Sequence, residues 1–147
     1  MKKIGIALLF GLISSVSYAG ECSVDAEATA TMSFNLKEIV ISKKCTEVTI
    51  NLKNSGTMAK NVMGHNLVIS KASDMQAVLA DGSTAGLESN YVKANDARVV
   101  VNTKVLGCGE STSVKVSLSK FKLSDSYMFF CSFPGHAGVM KGNIKFS

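Results

Sequence analysis

Three stretches of the chain alternate apolar and polar residues with a period of two: residues 48–53, 114–118 and 143–146. Successive side chains of a β-strand point to opposite faces, so this period is typical of strands that bury one face. One buried face also favours antiparallel pairing. Further strands are predicted over residues 22–27, 33–41, 67–70, 98–101 and 127–131. The chain is therefore predicted to be mainly β.

Residues 73–82 break this alternation and predict one short helix. Ser73 and Gln76 have the spacing of a capping box. Met75, Val78 and Leu79 fall on one helical face. Gly82 is a suitable residue to end the helix. Seven or eight strands with one inserted helix predict an all-β fold, a two-sheet Greek-key β-sandwich of about eight strands.

The first 19 residues have the layout of a secretory signal peptide. Lys2 and Lys3 precede an apolar run over residues 4–13, and small residues follow at Ser17 and Ala19, where signal peptidase reads the chain. The apolar run is too short to span a bilayer. Cleavage after Ala19 would leave 147 − 19 = 128 residues, enough for one domain over residues 20–147. The mature protein would then be exported to a compartment that permits disulfides.

The charge of the chain is mild and evenly spread. The chain has 16 basic and 11 acidic residues, a net charge of +5, and removal of Lys2 and Lys3 with the signal leaves 5 − 2 = +3. The longest basic run is Lys43-Lys44. Nucleic-acid binding requires a basic stripe and membrane-surface binding a basic amphipathic helix, and the sequence has neither. We predict no nucleic-acid partner and no membrane insertion.

A thiol, an imidazole and a thioether follow one another in Cys131, His136 and Met140, with the spacing Cys-x4-His-x3-Met. His65 begins a predicted strand far upstream and can reach the same end of the sandwich. One thiolate, two imidazoles and a thioether suit copper in a trigonal site with a weak axial methionine. Zinc would accept the first three groups but gains little from a thioether. A Cys–His nucleophile pair would leave Met140 unexplained and lacks an orienting partner.

The other three cysteines lie outside this cluster. A disulfide between Cys22 and Cys45 would contribute about 3 kcal/mol of stability, with two unpaired thiols as the alternative. Cys108 lies between two glycines in a predicted turn. It is either a small exposed turn residue or a reactive thiol that could link two chains.

Together these motifs resemble those of the azurins, the bacterial blue copper proteins of the cupredoxin family. The resemblance is carried by residues 60–66, residues 127–136 and residues 140–142, and the pair Cys22 and Cys45 also matches. It extends over essentially the whole mature chain. It implies a single cupredoxin (plastocyanin-like) domain over residues 20–147, located in the periplasm.

The resemblance also implies one type 1 copper and a role for each residue around it. His65, Cys131 and His136 would be the equatorial ligands. Met140 would be a distant axial sulfur, and the carbonyl group of Gly64 would face the copper from the other side.

The residues next to the ligands would position and tune them. Asn66 would join the two ligand loops through Ser132, and the backbone N–H groups of Asn66 and Phe133 would point at the sulfur of Cys131. The chain departs from the family at Leu67, where azurins often have a buried tryptophan. We therefore expect the core to be filled differently at that position.

The function that the resemblance implies is electron transfer, not enzyme catalysis. The protein would be a monomer that carries one electron between redox proteins such as a c-type cytochrome or a periplasmic reductase. An apolar patch around the surface edge of His136 would receive these partners, and its members would be Met32, Met58, Met63, Phe133, Ala137, Gly138 and Val139. A copper carrier or buffer is the alternative. A copper enzyme would need a second metal site, for which the two histidines do not suffice.

Overall fold

The computed structural model describes residues 21–147, and the predicted signal peptide lies outside these described residues. Its strands are β1 (Ser23–Thr29), β2 (Ser33–Phe34), β3 (Glu38–Ile41), β4 (Glu47–Asn54), β5 (Val68–Lys71), β6 (Val99–Asn102), β7 (Ser111–Ser117), β8 (Tyr127–Phe130) and β9 (Lys141–Phe146). Its α-helices are α1 (Lys60–Met63) and α2 (Met75–Ala85), with 3₁₀ turns at Leu87–Ser89 and Leu118–Lys120. No helix within residues 21–147 is long and apolar enough to cross a membrane.

The strands form two sheets, with the orders β2-β1-β4-β7 and β3-β9-β8-β5-β6. The all-β sandwich is confirmed, but the expectation of antiparallel pairing is wrong for two pairs. β1 lies parallel to β4, and β3 lies parallel to β9. Period-two alternation reports only that a strand has one buried face. The direction of its neighbour depends on which crossover connections the whole chain makes.

The single strand predicted over residues 33–41 is two strands in different sheets. β2 ends at Phe34 and pairs with β1, whereas β3 begins at Glu38 and pairs with β9. The described residues therefore contain nine strands instead of about eight. The side chains of Phe34, Ile39 and Ile41 still point into one core, because the chain passes from one sheet to the other around that core.

The core lies between the two sheets and is built mainly from aliphatic and phenylalanine side chains. Ile50 and Leu52 of β4 face Phe129 of β8 across it, and each is almost completely buried. Burial of such a side chain contributes about 1.5–3 kcal/mol. Leu67 belongs to the same cluster and is fully buried, so an aliphatic side chain fills the place where azurins often have tryptophan.

The predicted disulfide between Cys22 and Cys45 is confirmed, with 5.7 Å between the two Cα atoms. It joins the residue before β1 to the connection between β3 and β4. The bridge therefore fixes the beginning of β1 beside the beginning of β4, its parallel neighbour.

The inserted helix exists, but both of its predicted ends are wrong. α2 begins at Met75, so its N-cap is Asp74 and not Ser73, and the side chain of Asp74 makes no capping hydrogen bond. Gly82 lies buried within the helix, and the chain ends the helix at Gly86, whose φ of 78° favours glycine. Gly82 is needed instead for packing, because a Cβ atom there would collide with the backbone carbonyl of Tyr91.

The helix α1 was not predicted from the sequence. Its four residues are too few to show a helical period, and none of them is buried. The helix ends at Gly64, immediately before His65, and so leads the chain into the predicted metal site.

Candidate metal centre

Two connections at one end of the sandwich carry the predicted ligands. His65 lies just after α1 and forms a backbone bridge with Leu106. The N–H of His65 donates to the carbonyl of Leu106 and the N–H of Leu106 to that of His65, with nitrogen–oxygen distances of 3.0 and 2.8 Å. Cys131 directly follows β8, and His136 and Met140 lie in the loop that leads to β9. The N–H of Met140 donates to the carbonyl of His136, and the N–H of Cys131 donates to the carbonyl of Met140. This loop is therefore closed on itself by backbone hydrogen bonds.

The ligand atoms of His65, Cys131 and His136 all lie within 4.8 Å of one another. The sulfur of Cys131 is 3.9 Å from Nδ1 of His65 and 3.7 Å from Nδ1 of His136. Metal–sulfur and metal–nitrogen bonds of about 2.3 and 2.0 Å, set about 120° apart, would place sulfur and nitrogen about 3.7 Å apart. The three side chains therefore fit around a trigonal metal ion.

The site is closed to water. Cys131 and His65 are fully buried, and only 5% of His136 is exposed. Burial raises the pKa of the Cys131 thiol to about 11, although hydrogen bonds from the backbone N–H groups of Asn66 and Phe133 oppose this rise. A metal ion that binds here must therefore displace the thiol proton.

The two imidazoles are held in the neutral form that ligates metal. Burial, followed by the positive charge of His136, lowers the pKa of His65 to about 4. Burial also lowers the pKa of His136. Nε2 of His65 is buried and has no hydrogen-bond partner among residues 21–147. The imidazole is thus held by its backbone and by packing.

Met140 and Gly64 adjoin the three ligands along the chain. Met140 is fully buried, and its backbone bonds to both Cys131 and His136. Gly64 precedes His65, and a Cβ atom there would collide with the carbonyl of Lys60 and the side chain of Val105. Only glycine fits at position 64. A soft thiolate and thioether beside two imidazoles favour copper over harder metal ions.

Asn66 and Ser132, each one residue beyond a ligand, join the two ligand segments. Nδ2 of Asn66 donates to Oγ of Ser132, and the backbone N–H of Ser132 donates to Oδ1 of Asn66, both at 2.8 Å. Both residues are buried. The positions of His65 and Cys131 are therefore coupled through this reciprocal pair.

The predicted apolar patch is only partly exposed. Met58 and Val139 are 47% and 56% exposed, and Gly138 is also exposed. Met32, Met63 and Phe133 are half-buried. Ala137 is instead mostly buried, in a cluster that contains Val68 and Phe130, and with only 9% exposed it adds little to the surface. Val62 of α1 is 54% exposed and was not predicted to belong to this patch.

Three residues outside every sequence motif also support the site. The ring of Tyr91 packs edge-on against Phe133, with 5.2 Å between centroids, and Phe133 stacks on His136 at 4.5 Å. Asn54 donates from Nδ2 to the carbonyl of Leu106, the bridge partner of His65, and Asn90 contacts Asn66. No local pattern marks Asn54, Tyr91 or Asn90, because their partners lie far away in the chain.

The family model for copper-binding proteins of the plastocyanin/azurin family matches residues 20–147. This chain belongs to the plastocyanin/azurin family. The azurin of Pseudomonas aeruginosa is 45% identical over 144 residues, which cover 98% of this chain and 97% of that protein. The azurin of Bordetella pertussis is 50% identical over 142 residues, or 97% of this chain and 95% of that protein.

A solved structure supports the same assignment. The azurin Az-iso2 of Methylomonas sp. strain J matches 86% of this chain and 98% of its own, with a TM-score of 0.83 and 36% identity. The resemblance to azurins is thus confirmed, as is one type 1 copper as the cofactor. The chain is a blue copper electron-transfer protein, and its family consists of electron carriers rather than enzymes.

Proposed function

We propose that this protein carries one electron at a time between redox proteins of the periplasm. The copper would be held by His65, Cys131 and His136, with the sulfur of Met140 and the carbonyl of Gly64 as weaker ligands. When bound, copper supplies the one-electron Cu(I)/Cu(II) couple. The protein's own residues determine how much the site rearranges, how water is excluded and where a partner docks.

The observation that carries this proposal is the assembly of three ligand atoms within 4.8 Å by segments that cannot move freely. The backbone bridge to Leu106 fixes His65, and the hydrogen bond to Met140 fixes Cys131. The reciprocal pair of Asn66 and Ser132 ties these two segments together. A site held in this way changes little between oxidation states, which is what rapid electron transfer requires.

The surroundings of Cys131 suit a buried thiolate. The N–H groups of Asn66 and Phe133 donate to its sulfur and withdraw charge from it, which tunes the reduction potential. Near-complete burial of all three ligands leaves no open position for a substrate. Electron exchange without bond making is the chemistry that such a closed site supports.

Electrons would enter and leave at His136. It is the ligand with a small exposed fraction, and the exposed residues Gly138 and Val139 lie just beyond it. Together with Met58, Val62 and the half-buried Met32, Met63 and Phe133, they would form an apolar surface that we call the docking patch. Exposed apolar surface often marks a partner site, and a small one suits brief redox encounters. A c-type cytochrome or a periplasmic reductase is the kind of partner we propose.

The test of the metal site is a visible spectrum of residues 20–147 during titration with Cu(II). We expect an intense thiolate-to-copper band that saturates at one equivalent, bleaches with reductant and returns with oxidant. Tight copper binding without this band would mean that Cys131 is not an equatorial ligand, and the proposed site would be wrong.

A second experiment separates electron transfer from copper delivery. A copper carrier needs rapid metal exchange, whereas the burial of His65, Cys131 and His136 favours slow release. We expect slow transfer of copper to a chelator and fast electron self-exchange between the oxidised and reduced proteins. Fast copper release with slow self-exchange would instead support a carrier.

Export is tested by fractionation of the source cells. The periplasmic protein should have the mass of residues 20–147, with one disulfide and one copper. A cytoplasmic protein that retains residues 1–19 would contradict the proposed location.

A further inference from the structure

The connection from α2 to β6 contains two consecutive residues with unusual backbone conformations. Asn90 has a φ of 56° and Tyr91 a φ of 51°, both in the left-handed region. Residues other than glycine rarely adopt this conformation, and asparagine tolerates it best. Two such residues in sequence persist only when their surroundings hold them in place. The contacts of Asn90 show what holds it.

The backbone carbonyl of Asn90 accepts hydrogen bonds from both residues that couple the ligand segments. Nδ2 of Asn66 donates to it at 2.9 Å, and Oγ of Ser132 donates to it at 3.4 Å. Asn66 and Ser132 already bond to each other, and both are buried. The carbonyl of Asn90 therefore accepts the second Nδ2 hydrogen of Asn66 and the hydroxyl hydrogen of Ser132, which the bonds between these two residues do not use. Without it, these buried hydrogens would have no partner.

The side chain of Asn90 holds a third segment. Its Oδ1 accepts a hydrogen bond of 2.8 Å from the backbone N–H of Val105. Val105 precedes Leu106, the bridge partner of His65, and its side chain lies against Gly64. One residue thus contacts the segment after His65, the segment after Cys131 and the segment that forms the backbone bridge with His65.

The rest of the connection is anchored independently of Asn90. The guanidinium of Arg98 bonds to Asp81 of α2 at 2.6 Å and to Asp96 at 2.7 Å. The ring of Tyr91 packs against Phe133. The connection is therefore fixed both to α2 and to the Cys131–His136 loop. These contacts hold the backbone around Asn90 in place.

We propose that Asn90 is a positioning residue of the copper centre, which sets the placement of His65 and Cys131 through Asn66, Ser132 and Val105. Within residues 21–147, none of its hydrogen bonds goes to a proposed metal ligand. With the left-handed backbone, the carbonyl of Asn90 lies within hydrogen-bond distance of the side chains of Asn66 and Ser132. The Oδ1 atom of its side chain accepts the hydrogen bond from the N–H of Val105. The proposal concerns copper binding and would hold for either an electron carrier or a copper carrier.

The geometry allows the side chain to be tested separately from the backbone. Asn90→Gly keeps a left-handed backbone and the carbonyl but removes Oδ1, and glycine adopts this conformation without strain. Asn90→Asp keeps an oxygen that accepts the Val105 N–H and tolerates the left-handed region. Asn95 also has a φ of 56° and is exposed in the same connection, so Asn95→Gly is the matched control.

The experiment compares these variants of residues 20–147 in three measurements: Cu(II) affinity by chelator competition, reduction potential, and amide hydrogen exchange of Val105 in the copper-free protein. We expect Asn90→Gly to bind copper about tenfold more weakly, since loss of a residue that supports ligands typically costs 10- to 100-fold. Its potential should shift and its Val105 amide should exchange faster. Asn90→Asp should match the parent in copper affinity and Val105 exchange, and Asn95→Gly should match it in all three measurements.

Three results would overturn the proposal. Asn90→Gly could retain the parent copper affinity and potential. It could lower only the melting temperature, which would mean that Asn90 merely stabilises the fold. Asn90→Asp could be as impaired as Asn90→Gly, so that the shared acceptor would not be the cause. If the variants show the expected copper affinities but the parent protein does not transfer electrons, only the proposed function would be contradicted.

Discussion

The buried imidazole of His65 has the most strongly shifted pKa of the two histidines. Burial, followed by the charge of His136, lowers its pKa from 6.5 to about 4. We expect the ring in the copper-free protein to stay neutral as the pH falls through 6.5. NMR titration of the ring carbons should therefore give a midpoint near 4, and a midpoint near 6.5 would contradict this prediction.

The same shift makes the stability of the copper-free protein depend on pH. Because the pKa of His65 is lower in the folded state, the unfolded chain binds more protons between pH 6.5 and about 4. The stabilising contribution is complete above pH 6.5 and is lost as the pH falls toward 4. Urea unfolding across this range should lose less stability in His65→Leu than in the parent.

The proposed ligands can be predicted from the sequence because three of them lie close together in it. Cys131, His136 and Met140 lie within one loop, and their spacing is set by that loop alone. His65 was harder to place, since its approach depends on the bridge to Leu106. Asn90 and Asn54 could not be found, because asparagine is common in loops and strand ends and their partners are remote.

The helix α2 illustrates how packing overrides local preference. Glycine inside a helix normally costs about 0.5–1 kcal/mol relative to alanine, so Gly82→Ala would ordinarily stabilise the protein. Here the added Cβ would collide with the carbonyl of Tyr91. We therefore expect Gly82→Ala to lower the free energy of unfolding by about 1–3 kcal/mol, the usual cost of overpacking.

Urea unfolding of the copper-free protein measures this effect. Ser83→Ala is the control, because Ser83 is exposed on the same helix and alanine there should be neutral or slightly stabilising. A stabilising Gly82→Ala would show that the connection around Tyr91 moves aside at little cost.

The disulfide acts at the beginning of β4, whereas the metal site lies near its end. Asn54, the last residue of β4, contacts Leu106 beside His65, while Cys45 precedes the strand. We expect the double variant Cys22→Ala/Cys45→Ala to lose about 3 kcal/mol of stability. Its copper spectrum should not change, and Cys108→Ser, at an exposed free cysteine, should alter neither property. Loss of the blue band in the double variant would contradict this separation.

The copper end of the sandwich combines a closed site with an apolar surface, and this arrangement predicts where a partner docks. Gly138 is exposed, and a side chain there would meet no neighbour within 4 Å. We expect Gly138→Glu to slow electron transfer to a redox partner about tenfold while the copper spectrum stays the same, since a charge in an apolar contact must be desolvated.

Thr46→Glu is the control for that variant. Thr46 is exposed next to the disulfide, at the other end of β4, so the same charge is added far from the docking patch. Stopped-flow oxidation by a c-type cytochrome gives the rates. Equal rates for Gly138→Glu and the parent would exclude this surface as the docking site.

The class of fold and the chemistry of the proposed metal site can be predicted from the sequence alone. Period-two alternation needs only neighbours along one strand, and the Cys-x4-His-x3-Met motif needs only one loop. Both are short-range features, so they can be recognised before the chain is folded. The resemblance to azurins supported two predictions that join distant residues: His65 as a ligand and the disulfide between Cys22 and Cys45.

The three-dimensional arrangement of the chain was needed to show which strands are neighbours, where the strand over residues 33–41 divides, and what surrounds the proposed ligands. The parallel pairs of β1 with β4 and β3 with β9, and the contacts of Asn90, join residues far apart in the chain. Such partners are selected by the packing of the two sheets as a unit. The free energy of that packing is shared by the whole core, and no single segment encodes it.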